Sequence, residues 1–491
     1  MMNPAALRIH GADTVATALR DLAAGETVLG VTLNDAIPRA HKFALVAHVP
    51  GDPVLKFGFP IGQATAAITP GDHVHVHNVA TALAGEAVYG GGAGAVRAQA
   101  AASTITWRGY PRADGRAGTR NEIWVLPTVG CVGRTAQKIA AKAEALLPAG
   151  VDGVHAFAHP FGCSQLSDDL DGTRNILSAL AQHPNAGGVL LVGLGCESNQ
   201  LSALLETLPE EVRSRVRTVG AQAASDEIAE GVTAVLELAE LAATAQREEM
   251  GLDRLVIGLK CGGSDGLSGL TANPLVGRMA DRVTDAGGTA ILTELPEIFG
   301  AEQLLMARAA DTETFDAIGA LVNRFKRYFI DHGEPVSETP SPGNIAGGIT
   351  TLEEKSLGAV QKGGQAIVTD VIDYGDRVKR TGLTLLEAPG NDAVSSTALS
   401  AAGATVILFT TGRGTPLGFP APTLKIASNS DLAARKPGWI DFDAGQVLTD
   451  GMDVAADALL ARIAAIASGE EAAAERNGER EIAIWKRGVT L

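Results

Sequence analysis

From about residue 120 onward, short apolar runs alternate with longer segments in which apolar residues recur at helical spacing. Alternation of this kind predicts parallel β-sheets with helices packed on both faces, which is an α/β fold. The predicted strands cover residues 123–129, 154–158, 189–194, 216–219, 255–259, 289–293, 366–371, 383–386, 405–410 and 424–427. Helices are predicted between most of them, including residues 136–147, 173–181, 226–243 and 275–286.

The first 90 residues follow a different pattern, in which short β-branched and aromatic runs are separated by Gly and Pro. They predict a small β-rich domain at 1–90, with a short amphipathic helix over 13–22 and then strands over 27–33, 42–49, 54–57 and 73–79. A flexible, Gly- and Ala-rich linker is predicted at 91–106. We predict a catalytic α/β domain at 107–340 and a C-terminal α/β domain at 341–491, divided by the Pro-rich stretch 334–343.

The 491 residues carry a formal net charge of -16, which argues against nucleic acid and against an anionic membrane as partners. Every apolar run is too short for a membrane span, and the N-terminus lacks the basic and apolar segments of a signal peptide. A cytoplasmic protein is therefore expected. Four cysteines are too few for a disulfide framework, and in a reducing compartment they act as buried thiols, nucleophiles or ligands.

Thiols and charged side chains follow several predicted strands, at the points where those strands end. The run 255–259 opens into Lys260, Cys261 and a glycine-rich turn that contains Asp265. Because ligands bind at the carboxyl edge of open α/β sheets, these side chains predict an active site. For the cysteines, the alternative is that they are buried small hydrophobic residues. The other strand-end residues are Cys131, His159, Cys163, Cys196, Glu197 and Glu294.

The segment 73–78 carries three histidines at alternate positions. In an extended strand His73, His75 and His77 would project from one face, with Val74 and Val76 on the core side. Converging imidazoles bind divalent metals or exchange protons near neutral pH. The alternative is a solvated strand face that is rich in histidine.

Three glycine-containing turns offer groups for an acidic, hydroxylated ligand. Arg116 and Arg120 precede the first α/β strand, where the alternative is ion pairing with the acidic surface. The turn 410–416 supplies Thr411 and Arg413, and the turn 342–344 ends in Asn344. Structural turns explain the last two segments equally well. Neither turn matches a phosphate-binding loop, and nucleotide binding is not indicated.

The segments 41–45, 73–78, 121–131, 162–166, 193–197, 260–274 and 411–416 together resemble the altronate/galactarate dehydratase family. The resemblance runs along essentially the whole chain and includes the C-terminal segments 475–477 and 480–484. One departure is Ile345, which stands where the family usually has lysine.

The resemblance implies dehydration of a sugar acid to a 2-keto-3-deoxy acid, a requirement for iron or manganese, and an N-terminal SAF-type β-clip domain ahead of Rossmann-like α/β domains. For this chain it implies a hydro-lyase of uronate degradation that converts D-altronate to 2-dehydro-3-deoxy-D-gluconate and water. Galactarate or another sugar acid is the alternative substrate, and a non-catalytic sugar-acid binding protein is the alternative function. Homo-oligomerisation stays open.

Elimination of water from a 2,3-dihydroxy acid requires a base for the C2 proton and an acid for the departing C3 hydroxyl. Under the resemblance, the base is sought among His75, His77, His159 and Lys260, and the acid among Glu197, Asp265 and Glu294. Substrate contacts are predicted for Arg116, Arg120, Ser264, Asn344, Thr411 and Arg413. The metal is Fe2+ or Mn2+ on His75 and His77 with a carboxylate, or iron or an iron-sulfur cluster on Cys131, Cys163, Cys196 and Cys261.

Overall fold

The computed structural model describes residues 4–92 and 104–491 and contains a domain of short antiparallel strands followed by two parallel sheets covered by helices. Most of the predicted linker, residues 93–103, lies outside the described residues. Each strand predicted from residue 123 onward is present, within a few residues of its predicted bounds, and so are the predicted helices. The α/β prediction is therefore confirmed.

The N-terminal domain contains a four-stranded sheet in the order β1-β2-β5-β8, a three-stranded sheet in the order β6-β7-β9 and the hairpin β3-β4. Its strands are antiparallel to their neighbours. The strands are β1 (Ala6–Leu7), β2 (Val15–Ala18), β3 (Thr27–Val28), β4 (Val31–Thr32), β5 (Lys42–Ala44), β6 (Pro53–Lys56), β7 (Phe59–Ala64), β8 (His73–Val74) and β9 (Val79–Ala80).

The helix predicted over residues 13–22 is wrong, because the chain there forms strand β2. All four residues of β2 are buried, and the strand pairs with β1 on one side and β5 on the other. A helix would expose one face, whereas burial of every residue suits a strand inside a sheet. The single strand predicted over 27–33 is likewise a hairpin of two short strands.

The strand predicted over residues 73–79 is also broken, because Asn78 folds the chain into a turn. The Asn78 side chain accepts a hydrogen bond from the backbone N–H of His75 and donates one to the carbonyl of His73, each at 2.9 Å. Side-chain bonds of this kind favour turns over extended chain. Val76 is consequently exposed, although Val74 is buried as predicted.

The second domain is built around a parallel sheet in the order β13-β12-β14-β15. Its central strands are apolar and buried on both faces, as expected for a sheet covered by helices. Strands β10 and β16 form a small antiparallel sheet beside it with β11. The elements are β10 (Trp107–Pro111), β11 (Ala117–Gly118), β12 (Glu122–Pro127), α1 (Gly133–Glu144), β13 (Gly153–Ala156), α2 (Ser167–Ala181), β14 (Ala186–Gly193), α3 (Leu201–Glu206), α4 (Glu210–Arg213), β15 (Val216–Gly220), α5 (Glu227–Ala242) and β16 (Glu248–Met250).

A seven-stranded parallel sheet, ordered β19-β20-β18-β17-β21-β22-β23, forms the rest of the molecule. It takes β17 and β18 from before residue 340 and its other strands from after it, so the predicted boundary at 340/341 does not separate two sheets. The domain boundaries themselves stay predictions. The elements are β17 (Val256–Cys261), α6 (Ala272–Asp285), β18 (Thr289–Leu292), α7 (Glu302–Met306), α8 (Thr312–Asp331), α9 (Pro342–Ala346), α10 (Leu352–Ala359), β19 (Val368–Ile372), β20 (Gly382–Leu386), α11 (Asp392–Ala402), β21 (Val406–Thr411), β22 (Thr423–Ala427), α12 (Ser430–Arg435), β23 (Phe442–Asp443), α13 (Val447–Asp450), α14 (Met452–Ala467) and α15 (Ala473–Arg476).

A buried ion-pair group joins the N-terminal domain to helix α10. Lys42 and Lys56 each lie 2.8 Å from a different oxygen of Glu354, and all three side chains are almost fully buried. Burial works to raise the pKa of Glu354, but the two ammonium groups outweigh it and lower that pKa to about 2. The N-terminal domain is therefore fixed to the larger part of the chain by charge as well as by packing.

The carboxyl edges of the two parallel sheets lie on the same side of the molecule. Helix α2 packs against helix α11, and their C-terminal ends meet where the imidazole Nε2 of His183 bonds the carbonyl of Ala404 at 3.1 Å. Each helix begins at the carboxyl edge of its own sheet. Helices that pack together with their ends matched in this way present their N-termini, and the adjoining strand ends, to one side.

Among the described residues, no helix is both long and apolar enough to cross a membrane.

Candidate active site and metal-binding residues

A cavity of about 620 Å³ opens at the carboxyl edge of the seven-stranded sheet. Polar residues line it from the turn after β17, the segment around α9 and the start of α11, and aromatic side chains line it from α8 and the C-terminal segment. We call it the edge cavity. Residues that line it include Gly262, Gly263, Ser264, Glu297, Phe325, Tyr328, Ser341, Asn344, Lys355, Asn391, Asp392 and Trp485.

Beneath the edge cavity, Lys260 is held as an ammonium group. Its Nζ pairs with Glu294, and with Oδ1 of Asp392 at 2.9 Å. Burial works to lower the pKa of Lys260, but the two carboxylates outweigh it and raise that pKa above its ordinary value. Lys260 therefore does not fit the predicted role of general base, because it would have to release its proton first.

Glu294 has a second cationic partner, Lys362, whose Nζ lies 3.0 Å from Oε2. Glu294 lies two residues after β18, adopts a left-handed backbone conformation with φ of 67° and is completely buried. A carboxylate between two ammonium groups is suited to fixing charge. It is poorly suited to donating a proton to a departing hydroxyl, which was its predicted role.

Cys261 points into the same buried group. Its thiol donates a hydrogen bond to Glu297 at 2.9 Å and lies 2.8 Å from Nζ of Lys362. Burial and the two nearby glutamates raise the pKa of the Cys261 thiol. Lys355 completes the set with an ion pair to Glu297 at 2.9 Å. We call these residues the lysine–carboxylate network: Lys260, Cys261, Glu294, Glu297, Lys355 and Lys362.

The ligand atoms of Cys261, Glu294 and Glu297 lie within 4.8 Å of one another, which is the spacing that a single metal ion requires. No other such group of histidine, cysteine or acidic side chains occurs in residues 4–92 and 104–491. The surrounding charge disfavours a cation, however, because Lys355 and Lys362 already neutralise the carboxylates and lower the pKa of Glu297 to about 2. A metal ion would bind to these carboxylates only if it displaced one or both of the ammonium groups.

Two predicted substrate contacts, Ser264 and Asn344, do line the edge cavity and touch each other. Asn344 donates a hydrogen bond from Nδ2 to the carbonyl of Ser264 at 2.8 Å. Arg413 is exposed nearby and reaches the carbonyl of Gly343 at 3.5 Å. Thr411 is buried and accepts a hydrogen bond from the N–H of Gly414, so its hydroxyl holds the turn.

Asp265 lies in the same turn as Ser264, but its oxygens are occupied. They accept hydrogen bonds from Ser268 and Ser428 at 2.8 Å and from Asn429 at 3.0 Å. The side chain therefore fixes the glycine-rich turn after β17 to the turn that follows β22. Its predicted role as a general acid stays a prediction that these contacts do not favour.

A fourth histidine, His41, lies beside the histidines of residues 73–77, so four imidazole rings cluster in the N-terminal domain. The ring centroids of His41 and His75 lie 4.9 Å apart, and those of His73 and His77 lie 5.5 Å apart. Burial and neighbouring charges lower the pKa of His73 and that of His75 to about 4, so both rings are neutral at physiological pH. Neutral imidazoles suit a divalent metal. We call these four residues the imidazole group.

The remaining cysteines lie at the carboxyl edge of the four-stranded sheet. Cys131, Cys163 and Cys196 are all exposed, whereas Cys261 is buried at the other sheet. The structure therefore brings three of the four predicted thiol ligands to one edge and separates the fourth. We call Cys131, Cys163 and Cys196 the three-thiol edge.

His159 and Glu197 adjoin the three-thiol edge but use their polar atoms within the fold. The His159 ring bonds the carbonyl of Pro127 through Nε2 at 2.8 Å and accepts from the N–H of Phe161 through Nδ1. Glu197 accepts hydrogen bonds from the Thr128 hydroxyl and from backbone N–H groups, which outweigh its burial and lower its pKa. These contacts favour structural roles over the predicted exchange of protons.

The predicted arginine contacts lie elsewhere in the molecule. Arg120 is buried in a paired contact with Glu475, with N···O distances of 2.8 and 2.9 Å. Arg116 pairs with Asp114 and lines a different cavity, at the amino edge of the seven-stranded sheet. Neither side chain reaches the edge cavity, so the role of both as substrate ligands is unsupported.

The sequence did not identify Glu297 as an acid, a base or a metal ligand, and it did not identify Lys355, Lys362 or Asp392 as site residues. Glu297 follows Glu294 in the predicted strand-end segment, which was a usable signal. Lys355 and Lys362 lie on and after α10, far along the chain from β17. Only the packing of α10 on residues 295–297, and of residues 360–363 on β17 and β18, brings them in. Asp392 begins α11, where an acid is an ordinary first-turn residue.

Three models of one protein family match nearly the whole chain. Residues 4–82 match the family model described as altronate/galactarate dehydratase SAF domain, residues 109–243 match the second domain of D-galactarate dehydratase/altronate hydrolase, and residues 252–490 match the C-terminal domain of D-galactarate/altronate dehydratase. The chain belongs to the altronate/galactarate dehydratase family. The fold expected from the resemblance, a SAF domain ahead of parallel α/β domains, is confirmed.

Within this family, the chain is 49% identical to altronate dehydratase of Escherichia coli and 47% identical to altronate dehydratase of Bacillus subtilis, in both cases over 99% of each chain. It is 32% identical to galactarate dehydratase (L-threo-forming) of Escherichia coli, over 90% of this chain and 88% of that protein.

Proposed function

We propose that this protein is a hydro-lyase that removes water from D-altronate to give 2-dehydro-3-deoxy-D-gluconate. The observation that carries the proposal is the contrast in similarity along the full chain: 49% and 47% identity to two altronate dehydratases, against 32% to a galactarate dehydratase. The expected partner is therefore a small sugar acid. The chain's charge of -16 gives the opposite field to the one that nucleic acid requires.

The edge cavity supports this proposal as the place where the sugar acid binds. Its volume of about 620 Å³ accommodates a six-carbon acid, and its lining combines hydroxyl and amide groups with aromatic rings. Lys355 faces the cavity with a pKa that its carboxylate neighbours keep above the ordinary value in spite of burial, so it remains cationic. We assign it to the substrate carboxylate, with Ser264 and Asn344 bonding hydroxyls.

Asp392 is the residue best placed to remove the C2 proton. It lines the edge cavity, its side chain is about a third exposed, and Lys260 bonds only one of its oxygens, Oδ1, at 2.9 Å. The Lys260 ammonium group keeps the carboxylate oriented through this ion pair. The role of base thus passes from the predicted set to Asp392, and Lys260 becomes its positioning partner.

Metal dependence follows from the family resemblance, and we propose Fe2+ or Mn2+, with an iron-sulfur cluster as the alternative. The neutral imidazole group fits a single ion chemically, although its nitrogens do not all lie within 4.8 Å. The three-thiol edge fits iron-sulfur chemistry. When bound, such a centre would supply a Lewis acid that stabilises the negative charge of the enolate.

The test is an assay for keto acid on protein purified without oxygen and supplied with ferrous iron, using D-altronate and galactarate in parallel. We expect keto acid from D-altronate at a kcat/KM far above that for galactarate. Activity on galactarate alone would overturn the substrate assignment. Binding of D-altronate without any product would favour a sugar-acid binding protein instead.

A further inference from the structure

A second cavity, of about 180 Å³, opens at the amino edge of the seven-stranded sheet, whereas the edge cavity opens at its carboxyl edge. Val256, Thr289 and Thr405 line it at the starts of β17, β18 and β21. The second domain lines its other side through residues 115–117 and Pro184. The cavity therefore lies at the junction of the second domain and the seven-stranded sheet.

The charge around this cavity is opposite to that of the chain as a whole. Among the residues described, five cationic side chains line it against one acidic side chain, Asp253. The whole chain has 40 lysines and arginines against 56 aspartates and glutamates, so this excess of positive charge is local. We call the site the basic cavity. Its cations are Arg116, Arg254, Arg377, Lys379 and Arg380.

Most of these cations lack an anionic partner. Arg116 pairs with Asp114. No carboxylate in residues 4–92 and 104–491 lies within ion-pair distance of the other four cations, whose hydrogen bonds go to neutral oxygens. Arg116 and Arg377 both donate to Gln182, the first to its carbonyl at 2.6 Å and the second to its Oε1, so their guanidinium groups lie close together. A neutral oxygen orients a guanidinium group without neutralising its charge.

The guanidinium groups at this place destabilise one another. Burial and the charge of Arg116 lower the pKa of Arg377 to about 10, although Asp114 acts in the opposite direction. Burial and the charges of Arg112, Arg116 and Arg377 likewise lower the pKa of Arg215 to about 9. Like charges held close together in a partly buried place favour the binding of an anion, because the anion removes their repulsion.

The negative charge that the fold itself supplies does not balance the five cations. The C-terminal end of α11 lies at the cavity through Ala402 and Gly403, and a helix terminus carries about half an elementary negative charge. Asp253 offsets one cation, and Asp114 offsets Arg116. About two positive charges are left after these contributions. A ligand that carries two negative charges would neutralise them.

We propose that the basic cavity binds a small organic phosphate, with Arg377, Lys379 and Arg380 as its cationic ligands. A phosphate monoester carries a charge of about −1.5 to −2 at pH 7 and three acceptor oxygens, and guanidinium groups match such oxygens in pairs. A cavity of about 180 Å³ is smaller than the ~300–1,000 Å³ of sites for larger ligands, which favours a short carbon chain over a nucleotide. Val256 and Val378 offer apolar contact to that chain.

A ligand in the basic cavity would contact two parts of the molecule at once, because Arg116 and Pro184 belong to the second domain and Arg377 to the seven-stranded sheet with its connections. A ligand that binds only the folded chain raises its stability. The inference goes beyond the proposed function and does not rest on it, since none of these residues lines the edge cavity.

The experiment is calorimetric titration of full-length protein at neutral pH and constant ionic strength with glycerol 3-phosphate, inorganic phosphate and succinate. Succinate is a dianion of similar size without a phosphate group. The midpoint of thermal unfolding in the presence of each compound is a second readout. We expect glycerol 3-phosphate to bind with a Kd about 10-fold below that of either other compound and to raise the midpoint of unfolding.

The ligands are tested with Lys379→Gln and Arg380→Gln, each of which should raise the Kd for glycerol 3-phosphate about 10-fold. Lys379→Arg keeps the positive charge and should keep the affinity within about 3-fold. Lys138→Gln, on the exposed face of α1, is the matched control and should bind as the parent chain does. Circular dichroism checks that each variant folds.

Absence of both heat and thermal stabilisation with glycerol 3-phosphate would overturn the proposal. Succinate that binds as tightly would overturn the assignment to phosphate, and inorganic phosphate that binds as tightly would overturn the need for a carbon chain. Unchanged affinity in both glutamine variants, or lost affinity in Lys138→Gln with the fold intact, would place the ligand elsewhere and overturn the site.

Discussion

The carboxyl edges of the two parallel sheets look alike in the sequence, with cysteine or acidic residues after several of their strands, but they differ in the folded chain. At the four-stranded sheet the thiols are exposed, and the adjacent acid Glu197 is engaged by backbone N–H groups. At the seven-stranded sheet the thiol of Cys261 is buried among lysines and carboxylates. Position after a strand therefore fixes where a side chain lies, and the neighbours supplied by other elements fix what it can do.

The largest effect is expected from Glu294→Gln, which disrupts the lysine–carboxylate network at the seven-stranded sheet. The change leaves the ammonium groups of Lys260 and Lys362 without their shared carboxylate, and an unpaired buried charge costs about 3–5 kcal/mol. The free energy of unfolding, measured by urea titration, should fall by that amount. Glu237→Gln, at an exposed position on α5, is the control and should change it by less than about 0.5 kcal/mol. A loss below about 1 kcal/mol in Glu294→Gln would mean that the network is not tightly packed.

A second effect is the loss of stability at low pH that the lysine–carboxylate network should cause. The pKa of Glu297 is about 2 in the folded chain and ordinarily 4.5, so its contribution to stability is present above pH 4.5 and is lost as the pH falls toward 2. That contribution is about 3 kcal/mol at most. Glu354 titrates in the same window. Stability measured between pH 6 and 3 should therefore fall less steeply in Glu297→Gln than in the parent chain; equal slopes would contradict the assignment.

Thiol labelling compares the two edges directly. Ellman's reagent should modify Cys131, Cys163 and Cys196 in the folded, metal-free chain and reach Cys261 only after denaturation, because Cys261 is buried and has a raised pKa. We expect a rate difference of about 100-fold or more. Mass spectrometry of the labelled peptides identifies the sites, and early labelling of Cys261 would show that its edge opens in solution.

The smallest expected effect concerns binding at the edge cavity. Lys355→Met removes the cation assigned to the substrate carboxylate and should raise KM for D-altronate about 10-fold, or about 1.4 kcal/mol. The matched control is Lys138→Met, on the exposed face of α1. An unchanged KM with a large fall in kcat would show that Lys355 acts on the reacting atoms rather than on the carboxylate.

The sequence predicted the α/β part of the fold well because apolar runs such as 189–194 are long, regular and buried on both faces. It predicted the N-terminal domain less well, because its strands are two to six residues long and their partners decide their conformation. Residues 15–18 read equally as helix or strand until β1 and β5 are placed beside them. The turn at Asn78 depends on side-chain bonds that no periodicity reveals.

For the candidate site, the sequence identified side chains at strand ends but not their neighbours. Cys131, Cys163 and Cys196 come together because their strands are adjacent in one parallel sheet, and the strand order was not readable from the chain. Lys260 was a reasonable base until the contact with Glu294 was known. Arg120 was a reasonable substrate ligand until Glu475, more than 350 residues away, was found bonded to it.

Two neighbouring residues of helix α10 contact different parts of the molecule. Glu354 pairs with the two lysines of the N-terminal domain, and Lys355 faces the edge cavity. A shortened chain that began after residue 92 would keep the anion but lose both of its counter-ions, one residue away from the cation assigned to the substrate. Such a fragment would therefore carry an altered charge balance at its binding site, and an absence of activity in it would say nothing about which domain performs the chemistry.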